Sequence, residues 1–186
     1  MKAYKGFYKD LTCRGFKFKQ GKKYTEKEAN CRQNGFHCAE DPLDCLSYYP
    51  DWDSSVYYIV EATGDINEDD VDSKISCTEI TLIKQMTLLE FLFESMLYIV
   101  NHPYRESNYR VLRNEGRACG KFVIVRGKNP MAAASTVGAV IAILKEKENS
   151  PVIESINLFL VDGKRLKIDT WYTVEGKELG KVGVNE

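Results

Sequence analysis

The chain has 186 residues, 44% of them hydrophobic, enough for one ordinary domain or two small ones and too apolar for wholesale disorder. Twenty-six bases stand against twenty-seven acids, and a net charge of -1 gives no global attraction to nucleic acid or an anionic membrane, so no direct nucleic-acid binding is expected. No segment reaches membrane-spanning length and MKAYKGFYKDL lacks an apolar secretory core, so the expectation is a cytoplasmic protein with its six cysteines as thiols.

The chain opens on a strand, KAYKGF, closed by Gly6. GFKFKQGKKYT alternates Phe16 and Phe18 with Lys17 and Lys19, the pattern of a half-buried strand. Thr25, with Glu28 three residues on, predicts a helical turn over residues 25–30. GFHCA reads as a short strand, and DPLDCLSYY as a helix with Asp41 as N-cap and Pro42 at its first position. SSVYYIVEATGDI and SKISCTEITLI are further strands. From Thr87 the period changes: Leu88, Leu89, Leu92, Phe93, Met96, Leu97 and Val100 share one helical face. Thr87 and Glu90 make a capping box there, and His102-Pro103 ends the helix.

Residues 104–117 read as a polar, basic, mobile connection. In GRACGKFVIVRGKNPMAAASTVGAVIAIL the small residues suit closely stacked strands, as in solenoid rungs, while PMAAASTVGAVIAIL also has the propensity for a buried helix. Turns at Asp162-Gly163 and Glu175-Gly176 predict closing hairpins.

Charge is uneven along the chain. Residues 1–23 are basic, and the next fifty are acidic, with Asp51, Asp53, Asp69 and Asp70 among them. These acids, with Arg105, Arg110 and Arg113 of the basic connection, are the candidate partner-binding residues; alternating solvated strand faces are the other reading. NGFHCAEDPLDCLSYY concentrates His37, Cys38, Cys45, acids and tyrosines. Cys31, Cys38 and Cys45 lie seven apart, without the close pairs that bring two thiolates to one zinc ion, so no metal is expected. The chain has two histidines, and no G-x-S-x-G, H-E-x-x-H or phosphate-loop motif, so no catalytic residue is assigned.

Over roughly Ala3 to Leu82, AYKGF, GFHCAEDPLDCLSYY and VYYIVEATGDI resemble the strand order of the ADP-ribosyltransferase superfamily. That resemblance implies a dinucleotide-sized cleft between Tyr4-Lys5 and His37, with Glu79 nearest the position of the transition-state carboxylate. Lys5 stands where His or Arg would hold the nicotinamide ribose, and His37 where a stacking tyrosine is usual. A closer resemblance covers nearly the whole chain. The opening YKGF…CRGF, the core GFHCAEDPLDCLSYY and the ending VDGKRLKIDTWYTVEGKEL are similar to a domain family of unknown function found in bacteriophage and prophage proteins. It implies a phage or mobile-element origin and no established catalytic residues.

The expected fold is α+β: a mixed β-sheet domain over residues 1–84, an amphipathic helix and basic connection over 85–117, and a β-rich, solenoid-like part with hairpins over 118–186. The leading expectation is a binder of a host protein or ribonucleoprotein complex, such as a CRISPR-type defence effector, without cofactor. An ADP-ribosyltransferase-like NAD-binding enzyme and a virion structural or assembly protein are the alternatives. Leu88, Leu92 and Met96 offer a face for a homodimer.

Overall fold

The computed structural model of the chain describes residues 1–68 and 72–181. The chain is mostly β, with 51% in strand and 11% helical, which overturns the α+β expectation. Helical periodicity is confined to two short stretches, whereas alternation of apolar and polar residues runs through most of the rest. Residues 42–47 form a 3-10 helix (Pro42–Ser47) and not an α-helix, capped as its sequence dictates: the Asp41 carboxylate accepts from the Leu43 N–H at 2.9 Å. The connection expected to be mobile contains strand from Val111 onward. No helical turn forms over residues 25–30. The long strand expected from Phe16 is broken into two short pieces around buried Phe18.

The chain divides into two compact units, Met1–Ser95 and Met96–Glu186. The first contains β1 (Lys2–Tyr8), β2 (Thr12–Cys13), β3 (Phe16–Lys17), β4 (Lys23–Thr25), β5 (Phe36–Ala39), β6 (Ser55–Glu68) and β7 (Lys74–Gln85). β1 pairs antiparallel with β5 and β6, and both of these pair with β7, so four strands close a small barrel, with β4 following β5 along the same edge of β7. Closure demands a bend in the long β6, and its register with β7 breaks between Thr63 and Ile66, beside Gly64 at φ 74°. Alternate residues fill the interior: Ala3 and Phe7, Phe36 and Cys38, Tyr58, Val60 and Ala62, Ile75 and Cys77. Phe7, Phe18 and Tyr58 meet edge to face at 5.2 and 5.7 Å.

Gly6 lies inside β1 and does not close it, because the ring of Tyr49 rests on its backbone. A Cβ there would come within 2.6 Å of Tyr49 Cδ2. Gly6→Ala is therefore expected to push the ring away and cost about 1–3 kcal/mol by overpacking. Denaturant unfolding measures this, and an unchanged midpoint would place the ring elsewhere.

Helix α1 spans Leu88–Asn101. Thr87 and Glu90 bond reciprocally at its start, the Thr87 N–H donating at 2.9 Å and the Glu90 N–H at 3.3 Å. Lys84 and Thr87 together hold the Glu90 carboxyl down at about 2, the Lys84 hydrogen bond contributing most. The buried face is Phe91, Leu92, Ser95, Met96 and Ile99, while Leu89 and Phe93 are exposed. The apolar face is thus rotated from the expected one. Of the residues expected to offer a homodimer face, Leu92 and Met96 are buried and Leu88 is half-buried.

The second unit contains β8 (Val111–Ala118), β9 (Phe122–Ala134), β10 (Val140–Glu146), β11 (Ile153–Leu160), β12 (Thr170–Thr173) and β13 (Glu178–Lys181). β9 runs parallel to both β8 and β10, and the other pairs are antiparallel. Parallel neighbours ordinarily need a crossover of a dozen residues, yet only residues 119–121 separate β8 from β9. The chain manages this by turning a corner inside each strand. Asn114, at φ 65°, sits at the break in β8 register, and Gly127 of β9 stacks beneath it. Ala132, Ala133 and Ala134, which propensity alone offers to a helix, are buried in β9.

Candidate functional site

A cleft of about 810 Å³ opens in the first unit. Its floor is β1 at Tyr4, Lys5 and Gly6 together with β5. One wall is the β2–β3 hairpin, whose turn residues Arg14 and Gly15 both have positive φ, 48° and 79°, as a two-residue primed turn requires. A second wall is the loop before β5, with Arg32, Gln33 and Gly35, and a third is the end of the 3-10 helix, with Cys45, Tyr48 and Tyr49. The loop is fixed by Ser76 Oγ, which donates to the Asn34 carbonyl at 2.5 Å. The 3-10 helix is fixed by Ser73, whose hydroxyl donates to Asp44 Oδ2 at 2.6 Å and accepts from the Asp41 N–H at 2.8 Å.

Lys5 is 7% exposed, and its ammonium donates to the His37 carbonyl at 2.6 Å. His37 is half-buried; its Nε2 accepts from the Arg32 N–H at 2.9 Å and its ring also bonds the Gly35 carbonyl. Burial first, and then the positive charges of Lys5, Lys74 and Arg14, lower its pKa and keep the imidazole neutral at pH 7. His37 thus ties the loop to β5. The Tyr4 hydroxyl donates to Glu94 Oε2 at 2.8 Å, and burial followed by Glu94 raises its pKa strongly. Lys74 Nζ donates to the Tyr48 hydroxyl at 2.5 Å.

Cys38 and Cys45 are poor nucleophiles. Burial pushes Cys45 up to about 12, and Cys38 is raised by its hydrogen bond to Cys77 and then by burial. Cys31 Sγ donates to the Lys74 carbonyl at 3.7 Å. Among the described residues no three of His, Cys, Asp and Glu are placed to hold a metal ion.

Tyr4, Lys5 and His37 therefore line one cleft, while Glu79 lies outside it. Glu79 is paired with Lys23 at 2.7 Å and accepts from Thr63 Oγ1 at 2.7 Å, which together lower its pKa. Sequence reasoning missed Arg14, Arg32, Tyr48, Tyr49 and Lys74 as cleft residues. The Arg-Gly turn and the Tyr-Tyr pair closing the 3-10 helix were the available signals.

The second unit holds the arginines proposed from sequence. Arg126 is buried in β9 and acts as a clamp: Nε donates to Glu146 Oε1 at 2.6 Å, one terminal nitrogen to Ser107 Oγ at 2.9 Å, and the other to the carbonyls of Pro103 and Pro151 at 2.7 and 2.8 Å. Arg113 forms a bidentate pair with the same Glu146 at 2.7 and 2.9 Å and is therefore engaged internally. The clamped loop carries Tyr104 and Tyr109, 78% and 71% exposed. The Arg110 guanidinium lies 5.0 Å from the Tyr109 ring, and Arg105 donates to the Tyr98 hydroxyl at 2.7 Å. In the first unit, Asp51 and Asp53 are exposed on a loop anchored by Trp52, which stacks on Tyr57 at 4.6 Å; the Asp53 N–H donates to Asp51. Asp69 and Asp70 lie outside the described residues.

Fold and site define a mostly β chain of two units, with a ligand-sized cleft in the first and a clamped aromatic loop in the second. The family model described as "Domain of unknown function (DUF7666)" matches residues 1–94, just over half of the chain, and the chain belongs to that family. No curated protein and no solved structure matches the chain. Among the described residues, no helix is long and apolar enough to cross a membrane.

Proposed function

We propose that the chain is a binding protein of phage or mobile-element origin, acting in the cytoplasm of an infected or lysogenic bacterial host. It stops a host protein or ribonucleoprotein complex, such as a CRISPR-type defence effector, by occupying it stoichiometrically. The observation carrying this reading is the loop over residues 103–110: two exposed tyrosines beside Arg105 and Arg110, on backbone held by Arg126. Tyrosine and arginine dominate interface hot spots, and a loop ordered in advance loses less entropy on docking. Arg113, bound to Glu146, supports the loop, while Asp51 and Asp53 offer a separate acidic contact on the first unit. Replacing both Tyr104 and Tyr109 with alanine is expected to weaken the complex by roughly a hundredfold or more and leave the melting temperature nearly unchanged, as both rings are in solvent. Titration calorimetry against the effector measures the loss; equal affinity would remove this surface from the proposal.

A second reading, an NAD-binding protein similar to the ADP-ribosyltransferases, is favoured by the shared cleft of Tyr4, Lys5 and His37. Transfer chemistry needs a carboxylate at the reacting carbon, and Glu79 is held elsewhere by Lys23 and Thr63. The second reading is therefore one of binding without transfer.

A further inference from the structure

We infer that the cleft of the first unit is a binding site for a nucleoside phosphate, with Lys5 at its base meeting the phosphate and the rings at its rim meeting the nucleobase. This deepens the second reading, since it rests on the cleft being a ligand site, and it is independent of host binding.

Lys5 carries the inference. It sits on β1 between Ala3 and Phe7, on the side of the strand that fills the barrel. An ammonium has three donors, and Lys5 spends one on the His37 carbonyl. The Phe7 and Phe18 rings lie 5.4 and 5.8 Å away, and Cys38, Cys45 and Cys77 are close enough to feel its charge. Among the described residues no carboxylate pairs with it. A buried charge is expensive unless an opposite charge meets it, and the faces of two rings compensate only part of that cost. An anion entering the cleft would supply the rest.

Two carboxylates, Glu26 and Asp44, also line the cleft, and the cations and rings around them agree in chemistry with a nucleoside phosphate. Arg14 stands on the turn of the β2–β3 hairpin, exposed and without an ion pair among the described residues. Lys74 adds a further cation, fixed by Tyr48. Tyr8, Phe16 and Tyr48, each about half-exposed, put aromatic faces at the rim. Ring faces accept a base of any sequence by stacking, while cations fix the phosphate. The volume, about 810 Å³, falls in the range of pockets that enclose ligands of this size.

The test is calorimetric titration of the full chain with inorganic phosphate, AMP, ADP, NAD and uncharged adenosine, alongside thermal melts. Phosphorylated nucleosides are expected to bind and to raise the melting temperature, and adenosine to bind roughly ten- to a hundredfold more weakly than AMP, the loss of a charge-assisted contact. Lys5→Met keeps the side-chain length and removes the charge. It is expected to abolish the AMP shift while melting higher than the parent in the absence of ligand. A purely structural lysine gives the opposite, a lower melting point from the lost bond to His37. Should Lys5→Met not fold, Arg14→Asn, which tolerates the left-handed turn, is expected to weaken AMP several-fold without altering stability. AMP binding with failure of NAD would retain the inference and remove the NAD reading. Failure of all phosphorylated probes, adenosine equal to AMP, or full binding by Arg14→Asn would each overturn it.

Discussion

Arg126→Met is expected to destabilise the second unit by roughly 3 kcal/mol or more, because it removes the four hydrogen bonds of a buried guanidinium and halves the cationic partners of Glu146. Glu146, which has 4% of its side chain exposed, keeps Arg113 as its remaining cation. The variant also removes the donors to Ser107 and to the carbonyls of Pro103 and Pro151, so the loop bearing Tyr104 and Tyr109 loses its clamp. Differential scanning calorimetry gives the stability change, and proteolysis near residue 105 reports the loop. The pair also sets an acid dependence. Arg113 first and Arg126 second hold the Glu146 pKa below its ordinary value. A depressed folded pKa means the stabilisation is fully present above the unfolded carboxylate value and is lost as the pH falls through the folded one. Glu146→Gln is expected to flatten that part of the stability profile below about pH 4.5. A parent profile with no acid limb, or an Arg126→Met chain as stable as the parent, would show that the clamp is not formed.

Gly35→Ala is the second large effect, expected at about 2–5 kcal/mol. Gly35 has φ 80°, which costs an alanine roughly 1–2 kcal/mol. Its Cβ would also lie 2.5 Å from Ser76 Oγ and 3.0 Å from both Ala29 Cα and the Cys77 carbonyl, an overpacking of about 1–3 kcal/mol. Two of these neighbours are backbone and cannot turn aside. The strain falls on the loop that His37 and Asn34 hold against the cleft, so ligand response and stability should decline together. Denaturant melts of Gly35→Ala beside Gly15→Ala separate the terms, because Gly15 has the same sign of φ but nothing within 4 Å. Equal losses at the two positions would leave φ alone as the cause.

Local signals were legible where one rule decides the geometry. Asp41-Pro42 start the 3-10 helix, and Thr87 and Glu90 cap α1. The α+β expectation follows from the clear helical period at residues 88–100, whereas the pattern of the strands is interrupted. β8 contains Asn114 and Arg113 at a corner, and the pairing that makes VLRNEGRA a strand is with β9, which no local rule contains. Gly6 reads locally as a strand end for the same reason: the Tyr49 ring that requires it is 43 residues away in sequence. Of the candidate site, Tyr4, Lys5 and His37 are named only through the resemblance to the ADP-ribosyltransferases. The cations on the hairpin and at Lys74 depend on barrel closure and were not nameable.

Native mass spectrometry of the purified chain with a defence effector, parent beside the Tyr104→Ala, Tyr109→Ala double variant and with NAD present, tests the central claim most directly. A stoichiometric complex for the parent, absent for the variant and without added mass on the effector, is the predicted result. An ADP-ribose mass on the effector, or a complex that forms equally well with the variant, would contradict a stoichiometric binder working through this loop.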